Sequence, residues 1–170
     1  VISIPYIRRL YLETTGAEYL GIPKNISVED FFLELNKNDI EYVVLRWFEG
    51  LPSISNIGDI DILVSEKHYK KIFGKLTGSP LNSSIQVDLY SDTGYEWRSS
   101  GKVPYYPPSV ATKIIHQSVK TRYQIKIPSK RNYFYSLAYH ATYHKGFNSG
   151  LHSKFGNPKA ISNGNNKYYL

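Results

Sequence analysis

The strongest candidates for chemistry in this chain are two aspartates, Asp59 and Asp61, within the segment "GDIDILV". Aspartate is a poor strand former, and a buried carboxylate without a partner is costly. In a strand, both side chains point to the same face, about 6.6 Å apart at roughly 3.3 Å per residue. Ile60, Ile62 and Val64 then point to the other face. The pattern predicts a strand that is apolar on one side and acidic on the other.

A third carboxylate, Asp88, stands in "SSIQVDLYS", where alternation also predicts a strand. Its apolar side chains would share one face, and Gln86, Asp88 and Tyr90 the other. If the two strands are neighbours, three carboxylates converge at one edge of a sheet. Like charges repel, so such a cluster is favourable mainly when it holds cations. Oxygen ligands of this kind suit Mg²⁺ (or Mn²⁺), and a pair of such ions can clamp the oxygens of a phosphoryl transfer.

Simpler roles for these aspartates stay open at this point. Asp59 and Asp61 could belong to a turn or a helix cap at the end of a strand. Asp88 could be an ordinary strand residue that faces solvent.

The segments around the aspartates predict alternating helices and strands. In "SVEDFFLELNKNDI", Ser27 is a helix cap with Asp30 three residues later, and the following apolar residues have helical spacing. "EYVVLRWF" predicts a strand, and a loop with Gly50 precedes the strand "DIDILV". Ser65 is placed to cap a second helix, which Gly78 would close.

These patterns predict the fold class α/β (α+β), with a small mixed sheet and a helical, basic C-terminal extension. We divide the chain into an N-terminal helical segment (1–26), a core (27–96), a basic helical extension (97–150) and a flexible C-terminal segment (151–170). The last segment is rich in Gly, Asn and Ser, which favours loop or disorder.

"GDIDILV" followed by a helix and "IQVDLY" resembles the DNA polymerase β-type nucleotidyltransferase superfamily. The resemblance covers roughly residues 28–90 and implies the minimal nucleotidyltransferase sheet. It implies that Asp59 and Asp61 hold the metal ions and that Asp88 completes the triad and activates an acceptor hydroxyl. "LRWFEGLP…GDIDILV" is also similar to a bacterial subgroup of uncharacterised nucleotidyltransferase-fold proteins, which we associate with surface-polysaccharide genes.

One motif departs from the superfamily pattern. A Gly-Ser pair usually begins the helix after the first strand and holds nucleotide phosphate. Here "RWFEGLPSISNIG" contains Gly50 without an adjacent serine. Ser53, Ser55 and Arg46, whose guanidinium suits phosphate, are the candidates to replace it.

Charge is distributed unevenly along the chain. All 14 acidic residues lie at or before Glu96, whereas 12 Lys and Arg lie between Trp97 and Leu170. A solvated basic surface and a surface that faces a polyphosphate both explain this asymmetry. Within this half, His140, His144 and Lys145 are candidates for substrate contact. Packing is the alternative for the histidines, and helix capping is the alternative for Lys145.

The composition excludes several classes of protein. The chain has no cysteine, which excludes disulfides and thiolate metal sites and fits a cytoplasmic location. No apolar run is long enough for a membrane span, and the first residues lack the pattern of a secretory signal.

Three functional hypotheses follow from the sequence. The first is a Mg²⁺-dependent enzyme that transfers a nucleotidyl or phosphoryl group from a nucleoside triphosphate to a hydroxyl acceptor, with a role in surface-polysaccharide metabolism. The second is a catalytically silent nucleotidyltransferase-like module that binds RNA or another polyanion through the basic half. The third is an interaction domain of a larger envelope-polysaccharide enzyme.

Overall fold

The computed structural model describes residues 19–55, 58–95 and 104–145. Its strands are β1 (Gly21–Pro23), β2 (Tyr42–Val44), β3 (Asp59–Val64), β4 (Ser83–Ser91), β5 (Val119–Lys120) and β6 (Lys126–Ile127). Its α-helices are α1 (Val28–Lys37), α2 (Glu66–Phe73), α3 (Pro108–His116) and α4 (Lys130–Tyr139). Short 3-10 helices cover Phe48–Gly50 and Pro80–Asn82, and a π-helix, His140–Lys145, follows α4.

The chain forms two compact units, Val1–Pro128 and Ser129–Leu170. The first contains a four-stranded sheet in the order β1-β4-β3-β2 and a two-stranded sheet of β5 and β6. β3 and β4 pair in parallel at the centre of the sheet. β1 lies at one edge and pairs antiparallel with β4, and β2 lies at the other edge and pairs antiparallel with β3. The predicted mixed α+β class is therefore confirmed.

Helix α1 begins where its sequence predicts. The Ser27 hydroxyl accepts a hydrogen bond from the backbone N–H of Asp30 at 3.0 Å, as an N-cap does. Val28, Phe31 and Leu35 are among the buried residues of its apolar stripe. This helix covers the apolar face of the sheet.

The apolar face of the sheet forms the main core. Ile60, Ile62 and Val64 of β3 lie in one buried cluster with Val87 and Leu89 of β4. Side chains of α1 and α2 complete this cluster. The alternation of β3 thus places Ile60, Ile62 and Val64 in this core and puts Asp59 and Asp61 on the opposite face, where Leu63 is also fully buried.

Strand β1 was not predicted, since we expected Gly21–Pro23 to end a helix. Gly21 pairs with Gln86 of β4. A Cβ at position 21 would lie 2.5 Å from Cβ of Ser83, so this close approach of the two strands requires glycine.

Other predicted boundaries shift or lie outside the described residues. β2 is shorter than "EYVVLRWF" because the chain turns at Trp47, whose φ is 55°. The helix predicted from Ser129 to Gly146 is α-helical only over Lys130–Tyr139. Residues 1–18 and 146–170, on which the terminal segments mostly fall, lie outside the described residues.

The second unit is described here through α4 and the π-helix. The buried side of these helices includes Asn132, Ser136, Leu137 and His140. No helix among the described residues is long and apolar enough to cross a membrane.

Candidate functional site

The parallel pairing of β3 and β4 brings two of the predicted aspartates together. Asp61 is paired directly with Asp88, and Asp59 with Gln86. Neighbouring strands lie about 4.8 Å apart, so Asp61 and Asp88 are adjacent on the sheet. Asp59 lies on the same face of β3 as Asp61 because side chains alternate along a strand. The expectation that the two strands are neighbours is confirmed.

The nearest partner of Asp61 is an arginine. Arg46 donates from Nε to Oδ2 of Asp61 at 3.1 Å and from Nη2 to Oδ1 at 2.5 Å. Both side chains are almost fully buried, at 4% and 5% exposure. Both carboxylate oxygens of Asp61 are therefore engaged by one guanidinium, in the bidentate geometry that arginine favours.

The backbone of β2 places Arg46 at this position. The N–H of Leu45 donates to the carbonyl of Asp61 at 2.9 Å, which continues the β2–β3 ladder by one residue. The chain then turns through the left-handed conformation of Trp47 into the 3-10 helix. A non-glycine residue in this conformation is uncommon and costs free energy. The turn ends the strand directly after Arg46.

A tyrosine links the two adjacent carboxylates. The Tyr90 hydroxyl lies 3.3 Å from Oδ1 of Asp61 and 3.4 Å from Oδ2 of Asp88, and can donate its one proton to either. The side-chain amide of Gln86 donates to Oδ1 of Asp88 at 3.3 Å. Gln86 and Tyr90 therefore compensate part of the negative charge on this face.

Aromatic rings surround the guanidinium. The Arg46 guanidinium carbon lies 5.5 Å from the centre of the Tyr105 ring, within range of a cation–π interaction. The Tyr105 ring packs on Tyr90 at 4.2 Å and on Tyr106 at 4.9 Å. Tyr106 is fully buried. These rings exclude water from one side of the ion pair.

Burial and mutual repulsion shift the acid–base properties of the site. Burial, aided by the carboxylates of Asp59 and Asp88, raises the pKa of Asp61 to about 6, although Arg46 opposes this shift. Burial opposes the charge on Arg46, but the attraction of Asp61, together with that of the nearby tyrosines, outweighs it and raises the pKa of the guanidinium. Burial and the two carboxylates also raise the pKa of Tyr90, which keeps its hydroxyl protonated.

One donor in the site is unsatisfied. Within the described part of the chain, Nη1 of Arg46 is buried and has no hydrogen-bond partner. A buried donor on a charged group that lacks a partner is costly. The guanidinium therefore has an unused donor beside the carboxylate of Asp61.

The carboxylates fit Mg²⁺ or Mn²⁺ in chemical type, since they are hard oxygen donors on one face of the sheet. In the described conformation, however, Asp61 is engaged by Arg46, and Asp88 accepts from Gln86 and Tyr90. Among the residues that the structure describes, no three acidic or histidine side chains are placed to hold a metal ion together. A metal ion at Asp61 would therefore compete with the guanidinium of Arg46 for the same carboxylate.

The loop candidates for phosphate binding follow Arg46. Gly50 ends the 3-10 helix and is exposed. The hydroxyls of Ser53 and Ser55 lie 3.3 Å apart on an exposed part of the loop. Residues 56 and 57 lie outside the described residues. The predicted role of Gly50, Ser53 and Ser55 in phosphate binding stays a prediction.

The histidines and the lysine that we singled out belong to the second unit. The rings of His140 and His144 stack at 5.8 Å, so the two lie on one side of the helix as their spacing predicts. His140 is buried, whereas His144 and Lys145 are exposed. A packing role is the simpler reading for His140.

Sequence reasoning missed the contacts around the aspartates, although it named most of the residues that make them. The pairing of Arg46 with Asp61 and the ring of Tyr105 beside it were not predicted. Tyr90 and Gln86 share the polar side of β4 with Asp88, so strand alternation alone was a signal for them. The sequence signal for the role of Arg46 was weaker, because it was only a cationic residue directly after a buried strand.

Comparison with protein-family models gave no match, and neither did comparison with curated proteins or with solved structures. The resemblance to nucleotidyltransferases therefore rests on the sequence motifs alone and stays a prediction.

Proposed function

We propose that this protein is a Mg²⁺-dependent transferase of the nucleotidyltransferase type, which moves a nucleotidyl or phosphoryl group from a nucleoside triphosphate to a hydroxyl acceptor. The observation that carries the proposal is the direct pairing of Asp61 with Asp88 in parallel strands, with Asp59 on the same face. Three carboxylates on one face repel one another, and only part of their charge is compensated by Arg46, Gln86 and Tyr90. The carboxylates are readily explained as ligands for divalent cations.

In this proposal, separate residues bind the metal ions and the phosphate groups. Asp59, Asp61 and Asp88 would hold Mg²⁺ (or Mn²⁺), which supplies neutralisation of phosphate charge. Arg46 would bind a phosphate oxygen, since its planar guanidinium matches phosphate geometry. Gly50, Ser53 and Ser55 are the loop candidates for the remaining phosphate contacts.

Asp88 is the residue we assign to the acceptor. It is only half-buried, so an incoming hydroxyl could reach it. The acceptor oxygen would form a bond to phosphorus as the bond to the leaving phosphate group breaks, and the hydroxyl proton would pass to the Asp88 carboxylate. The leaving group is pyrophosphate for nucleotidyl transfer and a nucleoside diphosphate for phosphoryl transfer.

A second candidate function is a catalytically silent module that binds RNA or another polyanion. The observation that favours it is the bidentate pairing of Arg46 with Asp61, which occupies both oxygens of a predicted metal ligand. The acid-free stretch after Glu96 would supply the polyanion surface.

The proposal is tested with a panel of nucleoside triphosphates and hydroxyl acceptors in Mg²⁺ or Mn²⁺, with pyrophosphate and nucleoside diphosphate measured separately. We expect one of these products to form, and Asp88→Asn to lower its rate by about 100-fold or more, the usual size of general-base catalysis. Asp92→Asn is the matched control. Asp92 accepts from the backbone N–H of Glu66 at 2.8 Å, a role that asparagine can also fill.

Two results would argue against the enzyme. An Asp88→Asn protein with normal metal-dependent activity would remove Asp88 from the site. A wild-type protein that releases neither product but binds oligonucleotides would favour the silent module.

A further inference from the structure

The ion pair between Arg46 and Asp61 has a feature that a purely structural pair does not need. Two of the three guanidinium nitrogens of Arg46 bond to Asp61, while the third, Nη1, is buried without a partner among the described residues. The side chain is 4% exposed, so water outside the protein does not satisfy this nitrogen. The described pairing therefore leaves one strong donor of Arg46 unused.

Both oxygens of the Asp61 carboxylate, by contrast, already accept hydrogen bonds from Arg46. Oδ1 of Asp61 accepts from Nη2 of Arg46 and lies 3.3 Å from the Tyr90 hydroxyl, and Oδ2 accepts from Nε of Arg46. A metal ion that binds Asp61 would share these oxygens with the guanidinium of Arg46, whose positive charge repels the ion. The bidentate bond to Arg46 therefore weakens metal binding at Asp61.

We propose that Arg46 and a divalent cation compete for Asp61, and that a bound polyphosphate decides the competition by giving Arg46 a new anionic partner. This inference rests on the proposed function and specifies how its ligands bind. The guanidinium that leaves Asp61 bonds to phosphate oxygens, for which its planar fork is equally suited, and Nη1 gains a partner. Divalent cation and polyphosphate therefore bind as a unit, each raising the affinity for the other.

The aromatic surroundings allow this exchange without moving Arg46 far. The guanidinium lies 5.5 Å from the centre of the Tyr105 ring, and that ring packs on Tyr90 at 4.2 Å. A cation–π contact is non-directional compared with a hydrogen bond. Arg46 can keep this contact while its hydrogen bonds pass from a carboxylate to a phosphate.

The experiment measures Mn²⁺ affinity and triphosphate affinity separately, with inorganic triphosphate as the probe because the nucleotide base is not identified. Calorimetry follows Mn²⁺ alone, triphosphate alone and the Mn²⁺–triphosphate complex. For the wild type we expect weak binding of either component alone and binding of the complex at least about 10-fold tighter, a usual size for coupling between two ligands.

Arg46→Met gives the decisive result, because the two affinities should change in opposite directions. Mn²⁺ alone should bind about 10-fold tighter, since its competitor is gone, whereas triphosphate should bind about 10-fold more weakly. Arg122→Met is the control. Arg122 is an exposed arginine of the same unit that lies over a tyrosine ring at 4.6 Å, and its loss should change neither affinity.

Arg46→Lys keeps the test decisive if the methionine variant does not fold. Lysine retains the charge but cannot form a bidentate bond, so Mn²⁺ should again bind tighter than in the wild type. Circular dichroism establishes which variants are folded.

The failure of this inference differs from the failure of the proposed function. Unchanged or weaker Mn²⁺ binding in the folded Arg46 variants overturns the competition, while metal binding that depends on Asp59 and Asp88 would leave the enzyme proposal standing. A wild-type protein that binds neither Mn²⁺ nor its triphosphate complex overturns both.

Discussion

The two faces of the four-stranded sheet use the same strands for different purposes. On one face, Ile60 and Ile62 of β3 and Val87 of β4 are buried in a common apolar cluster. On the other face, Asp61 is also buried, but its neighbours are Arg46 and the carboxylate of Asp88. Burial of these apolar side chains is favourable in itself, whereas burial of Asp61 depends on a partner of opposite charge.

This difference separates the apolar contacts, which stabilise the fold, from the buried ion pair, which contributes little net stability. Apolar contacts tolerate changes of shape, and their loss costs free energy in proportion to the area and cavity involved. A buried ion pair contributes little net stability, yet the loss of one partner is strongly destabilising. The stability of the polar face therefore depends on keeping both partners of the pair.

The largest effect on stability is expected from Arg46→Met. The substitution leaves the buried Asp61 carboxylate without its counter-ion beside two other carboxylates, and removal of one partner of a buried pair typically costs about 3–5 kcal/mol. The free energy of unfolding, measured by urea denaturation at pH 7, should fall by that amount. The loss should be smaller at pH 5, where Asp61 is free to take up a proton.

Ile62→Ala, on the apolar face, is the comparison for this variant. Ile62 is fully buried, and such a truncation typically costs about 2–5 kcal/mol. This loss should be the same at pH 5 and pH 7, because no titrating group is involved. An Arg46→Met protein whose loss of stability also does not change with pH would contradict the difference between the two faces.

A smaller effect is expected from pH itself. The folded protein holds the proton of Asp61 up to about pH 6, whereas the unfolded chain releases it near its ordinary pKa of 3.8. The folded state therefore binds more protons at Asp61 between these values. The contribution of Asp61 to stability is largest below about pH 4 and is lost as the pH rises to about 6. The shift corresponds to at most roughly 3 kcal/mol.

The pH effect is isolated by comparison with Asp61→Asn. Other carboxylates titrate in the same range, but the difference between the wild type and this variant reports Asp61 alone. Wild-type stability should decline relative to Asp61→Asn between pH 4 and pH 6. A wild-type protein that instead gains stability relative to the variant over this range would show that Arg46 lowers the pKa of Asp61.

The sequence predicted β3 and β4 with the bounds that the structure has. In β4, apolar and polar side chains alternate strictly, and β3 is rich in the β-branched residues Ile and Val. Such local patterns predict strands. The edge strand β1 was missed because its three residues have no periodicity of their own. It forms through pairing with β4, where Gly21 allows the close approach.

The candidate site was predictable in part for the same reason. The shared face of Asp59 and Asp61 follows from alternation within one strand. The bond between Arg46 and Asp61 does not, because it depends on the register of β2 on β3 and on the turn at Trp47. Long-range register and an uncommon backbone conformation leave little trace in local sequence.

The anomalous scattering of Mn²⁺, in crystals of the protein grown with Mn²⁺ and a non-hydrolysable nucleoside triphosphate, tests whether the three aspartates hold a metal ion. We expect a peak coordinated by Asp61 and by Asp59 or Asp88, with Arg46 turned from Asp61 to a phosphate oxygen. A crystal in which the nucleotide is bound but Asp61 still pairs with Arg46, and no Mn²⁺ peak lies at the three aspartates, would contradict this expectation.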